Sequence, residues 1–239
     1  MTRPILILRA GDAVPEVRAV RGDFPKWIEE SAGDAWAGAW RAHDVRTGEP
    51  LPDLREAAAF VMTGSSSSVT ERAPWMLRAE EYVRSIVAAR VPLFGICFGH
   101  QLVAQALGGL VAKNPRGREL GTVTFERSPG GEDDAVLAGL PASFTVNASH
   151  VDSVVRLPEG ARVLGATKLE PVSAFAVGET TWGVQFHPEF DGDVVRGYVR
   201  ARAELMKNEG LDPEQAIETA KDAPEGREVL RRFVRRIGS

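Results

Sequence analysis

Apolar residues fall along this chain in short continuous runs separated by longer amphipathic stretches, the pattern of strands buried on both faces alternating with helices. Ile5-Leu6-Ile7-Leu8 is a β-favouring run expected to form a central strand. Pro15 to Ser31 has helical spacing at Val17, Val20, Phe24, Trp27 and Ile28, and Gly22 and Pro25 are expected to divide it in two. Trp40 to Val45 and Ala58 to Met62 predict a second and a third strand. Trp75 to Arg90 predicts a long helix, with apolar positions at Trp75, Leu77, Tyr82, Ile86 and Val87, and Val91 to Ile96 the strand that follows it. Leu102 to Leu107 continues as helix until Gly108-Gly109 stops it. This alternation predicts an α/β fold: an open, mostly parallel, doubly wound sheet with helices on both faces.

Beyond Gly109 the runs shorten. Gly121 to Phe125, Phe144 to Asn147, Asp152 to Val155, Val163 to Ala166, Ala174 to Val177 and Thr181 to Phe186 read as strands. Turns at Pro129-Gly130-Gly131, Pro158-Glu159-Gly160 and Gly178-Glu179 point to antiparallel hairpins, a β-rich extension of the same sheet system. From Asp193 the chain becomes charged and helical, through Val194 to Lys207, Asp212-Pro213-Glu214 onward, and Glu225 to Ile237. Residues 1–192 are thus expected to form the main domain and 193–239 a C-terminal helical extension of it, serving as a cover for the sheet or as a docking surface.

Composition narrows the function classes. With 44% hydrophobic and 26% charged residues and a formal net charge of -4, the chain has the balance of a soluble protein and nothing that argues for nucleic acid. Its one cysteine rules out an internal disulfide and a cysteine-cluster zinc site, which fits a reducing compartment and a cytoplasmic location. Pro4 to Leu8 is too short for a signal-peptide core, and no stretch approaches the ~20 apolar residues of a membrane span.

That single cysteine sits in Gly95-Ile96-Cys97-Phe98-Gly99-His100-Gln101, between two glycines and where a strand meets a helix. A G-x-nucleophile-x-G turn holds its central residue in a strained conformation, and only glycine avoids a Cβ clash with the crowded flanks. The helix start beyond it favours an anion. A buried structural cysteine beside packing glycines is the plainer reading. Small residues also fill Thr63-Gly64-Ser65-Ser66-Ser67-Ser68-Val69, at the carboxyl end of the third predicted strand, where open α/β sheets bind ligands. Ser68 and Glu71 make a capping box there, and Gly64 and Ser65 could turn backbone N–H groups toward a developing oxyanion.

A cysteine nucleophile needs a base, and His43, His100, His150 and His187 are the histidines available. His187 leaves a predicted strand in Gln185-Phe186-His187-Pro188-Glu189, and Glu189 is placed to accept the imidazole N–H and fix its tautomer. His100 is expected to pack inside the elbow helix and His43 to end a strand. His150, in Ser149-His150-Val151-Asp152, either lines the pocket or satisfies a turn.

On these stretches, from about Ile5 to Phe190, the chain resembles the class I glutamine amidotransferases, especially stand-alone proteins similar to the amidotransferase half of GMP synthetase. The resemblance implies a flavodoxin-like sheet, Cys97 as nucleophile, His187 as general base and Glu189 as its orienting carboxylate. It further implies that Gln101 touches substrate and that the N–H groups of Phe98 and of the Gly64/Ser65 turn form the oxyanion hole. Where the family usually has a second glycine this chain has Ser65, which would be strained if the position required a positive φ. The implied reaction is hydrolysis of the γ-amide of glutamine through a γ-glutamyl thioester, with no metal or organic cofactor. No Gly-x-x-x-x-Gly-Lys-Ser/Thr phosphate loop is present, so an ammonia acceptor would belong to a synthetase subunit in trans. A free-standing γ-glutamyl peptidase acting on glutathione-like or γ-glutamyl amine compounds is the second reading, and a non-catalytic binding or regulatory protein the third.

Overall fold

Alternation of side chains along the first strand shows how the fold is layered. The computed structural model describes residues 2–237. In β1 (Ile5–Arg9), Ile5 and Ile7 enter one apolar core while Leu6 and Leu8 enter another on the opposite face, so the strand is covered on both sides. It pairs in parallel with β2 (Trp40–Asp44) and β3 (Ala59–Met62). Beyond β3 the parallel set continues through β4 (Leu93–Ile96) to β11 (Thr181–Val184). The order then becomes antiparallel through β10 (Ala174–Val177), β9 (Ala161–Thr167), β6 (Glu119–Arg127) and β7 (Ser143–His150). The expected α/β fold with an open, mostly parallel core and a β-rich extension is therefore present. The last predicted strand is not peripheral: β11 lies at the centre, parallel to β4, with Gly183 opposite Gly95 and Val184 opposite Ile96. A separate antiparallel ribbon pairs β5 (Leu110–Lys113), a strand the sequence pattern did not suggest, with β8 (Asp152–Arg156).

Gly22 and Pro25 divide the first helical stretch as expected, into α1 (Pro15–Arg21) and α2 (Phe24–Ala32). The capping box forms, with Glu71 accepting from the Ser68 N–H at 2.8 Å, but it caps a short 3-10 turn, Val69–Glu71. Arg72 then turns left-handed (φ 54°) and Pro74 starts the long helix afresh. That helix, α3 (Pro74–Ala88), buries Met76, Ala79, Tyr82, Val83 and Ile86, whereas Leu77 is 40% exposed. The buried face thus follows the i, i+3, i+7 series from Met76, rotated from the one expected. α4 (Phe98–Ala106) follows β4 directly.

The predicted 194–207 helix is broken at Arg202 into α5 (Gly192–Ala201) and α6 (Ala203–Asn208), and α7 (Pro213–Thr219) and α8 (Pro224–Ile237) follow. Val229, Leu230, Phe233 and Val234 of α8 are fully buried in the core that also holds Ile5, Phe94 and Trp182. Phe233 lies 5.1 Å from Phe94 and 5.8 Å from Trp182 between ring centroids, so α8 covers the central strands themselves. Phe233→Ala should lose about 3–5 kcal/mol of stability in urea unfolding. A loss below about 1 kcal/mol would show that α8 is not part of that core.

Candidate active site

The turn between β4 and α4 gives the site its shape. Cys97 has φ 51° and ψ −104°, a conformation that L-residues rarely adopt. Its N–H donates to the Val184 carbonyl at 2.8 Å and its carbonyl accepts from Gln101 N–H at 3.1 Å, which ties the turn to β11 on one side and to α4 on the other. Both flanking glycines are sterically required: a Cβ at Gly95 would stand 2.6 Å from the Gly99 carbonyl oxygen, and one at Gly99 2.5 Å from that of Met62.

Because β4 and β11 are neighbours in register, the residues that follow each strand emerge side by side. His187 follows β11, and its Nδ1 donates to Glu189 Oε1 at 2.8 Å; the ring lines the same pocket as Cys97, whose thiol is 3.8 Å from the Ser149 carbonyl oxygen. Burial opposes a charge on this imidazole, but the neighbouring Glu189 carboxylate and Cys97 outweigh it and raise the His187 pKa to about 10. The ring stacks on Phe190 at 3.9 Å, and Phe24 lies parallel to it at 6.2 Å. A Cβ at Gly64 would stand 3.0 Å from His187 Cε1, a tight contact, and 3.7 Å from Cys97 Cβ, an ordinary one, so this loop packs directly on both groups.

Three of the residues singled out from sequence, Cys97, His187 and Glu189, are therefore brought into one neighbourhood, and Gly64 adjoins them. Neither Gly64 nor Ser65 has a positive φ, so Ser65 carries no left-handed strain; it lines the pocket over Cys97 and its Oγ accepts from the Ser67 N–H at 3.1 Å. The backbone N–H groups of Gly64, Ser65 and Phe98 meet no acceptor among the described residues.

Gln101 and His150 occupy different surroundings. The Gln101 amide donates to the Asp152 carbonyl and to Gln185 Oε1, both at 3.0 Å. His150 is outside the lining of the Cys97 pocket and bridges the Glu119 carboxylate (Nε2, 3.2 Å) and the Asp152 carbonyl (Nδ1, 3.0 Å). Beside it lies Glu170, whose carboxyl is pushed up by burial. His100 is fully buried against Phe175, and burial lowers its pKa to about 3. His43 is on the edge strand β2.

Sequence reasoning missed the rest of the pocket wall. Asp12 and Val14 come from the loop after β1, Phe24 from α2, and Tyr198 and Arg202 from α5 and its C-terminal end. Each is an ordinary residue in its local sequence, and no spacing marks it. No group of three or more His, Cys, Asp or Glu able to hold a metal ion occurs among the described residues.

The model of the family "Glutamine amidotransferase class-I" matches residues 47–198. Among curated proteins, the chain is 28% identical over 202 residues to γ-glutamyl peptidase 4 of Arabidopsis thaliana, covering 83% of this chain and 79% of that protein. It is 37% identical over 157 residues to the glutamine-hydrolyzing GMP synthase of Thermosipho melanesiensis, covering 63% of this chain but 28% of that protein. The crystal structure of a glutamine amidotransferase from Thermotoga maritima superimposes with a TM-score of 0.78 at 22% identity over 99% of both chains, which shows the shared fold. With a family match that starts before β3 and runs through Cys97, His187 and Glu189, the chain belongs to the class I glutamine amidotransferases.

Proposed function

We propose that this protein hydrolyses γ-glutamyl amides with Cys97 as nucleophile, His187 as general acid and base, and Glu189 as the group that orients it. The observation that carries this reading is the Glu189–His187 hydrogen bond in the same pocket as Cys97, which sits at a strained turn. The proton of the Cys97–His187 pair is held on the imidazole as sulfur bonds to the substrate δ-carbon. The carbonyl oxygen becomes an oxyanion, for which the free N–H groups of Phe98, Gly64 and Ser65 are the candidate donors. The carbon–nitrogen bond then breaks and His187 delivers its proton to the departing nitrogen, leaving a γ-glutamyl thioester. His187, neutral once it has protonated the departing nitrogen, takes a proton from the attacking water, glutamate leaves as the carbon–sulfur bond breaks, and the proton stays on the imidazole. These steps use only protein groups and water.

Between the two catalytic readings, we favour a free-standing γ-glutamyl hydrolase, because the similarity to γ-glutamyl peptidase 4 extends over most of both chains. The higher identity to GMP synthase, over a stretch that is about a quarter of that enzyme, supports ammonia supply to a synthetase in trans as the second reading. Purified full-length protein should release glutamate from γ-glutamyl dipeptides without a partner. A glutaminase activity that appears only when cell extract is added would favour the second reading instead. A cytoplasmic location suits a thiol nucleophile under either.

In that assay Cys97→Ser should abolish turnover while leaving the melting temperature close to that of the wild type, and a glutamine-like diazoketone should label Cys97 once per chain. His187→Ala should cost roughly 10⁴-fold or more in kcat, and Glu189→Ala about a hundredfold less. If His150→Ala proved lethal and His187→Ala mild, the base would be misassigned.

The raised His187 pKa also fixes the sign of a stability change. The folded protein keeps this proton up to about pH 10, whereas the unfolded chain releases it near 6.5, so the stabilisation is complete below 6.5 and is lost as pH rises through 10. Chemical denaturation across this range should show falling stability in the wild type and a flatter profile in His187→Gln. Equal slopes would show that His187 is neutral in the fold.

A further inference from the structure

Arg202 is a largely buried cation for which no carboxylate lies within ion-pair distance among the described residues. Its Nη1 donates to Ser149 Oγ at 3.1 Å, and its guanidinium lies over the Tyr198 ring, 5.0 Å from the centroid. It lines the same pocket as Cys97 and His187. The acidic residue in that lining, Asp12, is already engaged by Arg9, Arg18 and Arg46. Burial pushes the Arg202 guanidinium pKa down, partly offset by Tyr198 and Cys97. Buried charges are normally paired, and one left open beside a nucleophile has the character of an unfilled anion site.

Its position indicates which part of a substrate would fill that site. The Ser149 carbonyl oxygen is 3.8 Å from Cys97 Sγ, so the guanidinium that binds the hydroxyl of this residue stands close to the reacting centre. His187 must hand its proton to the departing nitrogen, which places the leaving group on the His187 side of the sulfur. Tyr198 and Arg202 line the same pocket as His187 and Cys97, and Tyr198 packs on Phe190 at 4.7 Å, the ring that stacks on His187. When the leaving group is an amino acid, its carboxylate is two bonds from the scissile nitrogen and within the reach of such a guanidinium. When glutamine is cleaved, the leaving group is ammonia and carries no carboxylate.

Resting on the hydrolase reading, we propose that Arg202 is a specificity-determining residue that binds the α-carboxylate of the leaving amino acid, so that the preferred substrates are γ-glutamyl amino acids rather than glutamine. A guanidinium can grip a carboxylate through two parallel N–H donors, which a lysine cannot reproduce.

The test compares kcat/KM for γ-glutamyl-alanine, γ-glutamyl-alaninamide and glutamine in the wild type, Arg202→Met and Arg202→Lys, with melting temperatures recorded for each protein. The wild type should favour the free acid over its amide by roughly ten- to a hundredfold, the range expected for a charged hydrogen-bonding pair. Arg202→Met should bring that ratio to about one, and Arg202→Lys should leave it intermediate. The wild-type ratio needs no variant and stands even if Arg202→Met fails to fold. A wild-type ratio near one, or an Arg202→Met protein that loses glutamine and the free acid in equal proportion, overturns the assignment of Arg202 alone. A wild-type protein that cleaves none of the three overturns the hydrolase reading together with it.

Discussion

The structure depends first on the backbone at Cys97. A residue with a side chain held at φ 51° and ψ −104° costs on the order of 1–3 kcal/mol, and that conformation persists only where its surroundings determine it. Here they do so through backbone alone: the strand on one side takes the Cys97 N–H, the helix on the other takes its carbonyl, and two glycines let the helix and β3 come against the turn. The strain is useful because the same geometry lifts the thiol out of the sheet toward the pocket. Cys97 is only 5% exposed, so substrate must meet it in a pocket whose walls come from loops and helices of other parts of the chain.

The base inherits its place from this arrangement. Since β11 is hydrogen-bonded in register beside β4, the separation of His187 from Cys97 is set by the spacing of adjacent strands, and loop length does not enter. Fine placement comes from the Glu189 carboxylate, the Phe190 ring and the absence of a side chain at Gly64. The charge on the imidazole is then decided by two opposing effects, burial against the nearby negative groups, and the latter prevail.

Much of this was legible in the sequence because it is local. The apolar runs at Ile5–Leu8 and Leu93–Ile96, the glycines around Cys97, and the two-residue offset of His187 and Glu189 each leave their mark within a few positions. What was not legible depends on distant pairing. Thr181 to Val184 looks like one more hairpin strand until it is known to add to β4, and β5 becomes a strand only because β8 lies beside it. The rotated face of α3 depends on which side the sheet offers. Likewise His150 has a motif's appearance, but its partners Glu119 and Glu170 are 31 and 20 positions away and only folding reveals them. Arg202 lies beyond residue 198, where the family match ends, and nothing in the sequence separates it from the other 28 lysines and arginines of the chain.

The packing of α8 on Phe94 and Trp182 bears on how the protein is made. A ribosome delivers the chain from its N-terminus, so β1, β3 and β4 emerge long before the helix that covers them. One face of these strands is covered by α3 and α4 and part of the other by α2, but the patch around Phe94 and Trp182 stays open until residue 234 has been synthesised. The α8 side of the core is therefore the last to close, after every strand of the sheet and the active-site turn have been synthesised.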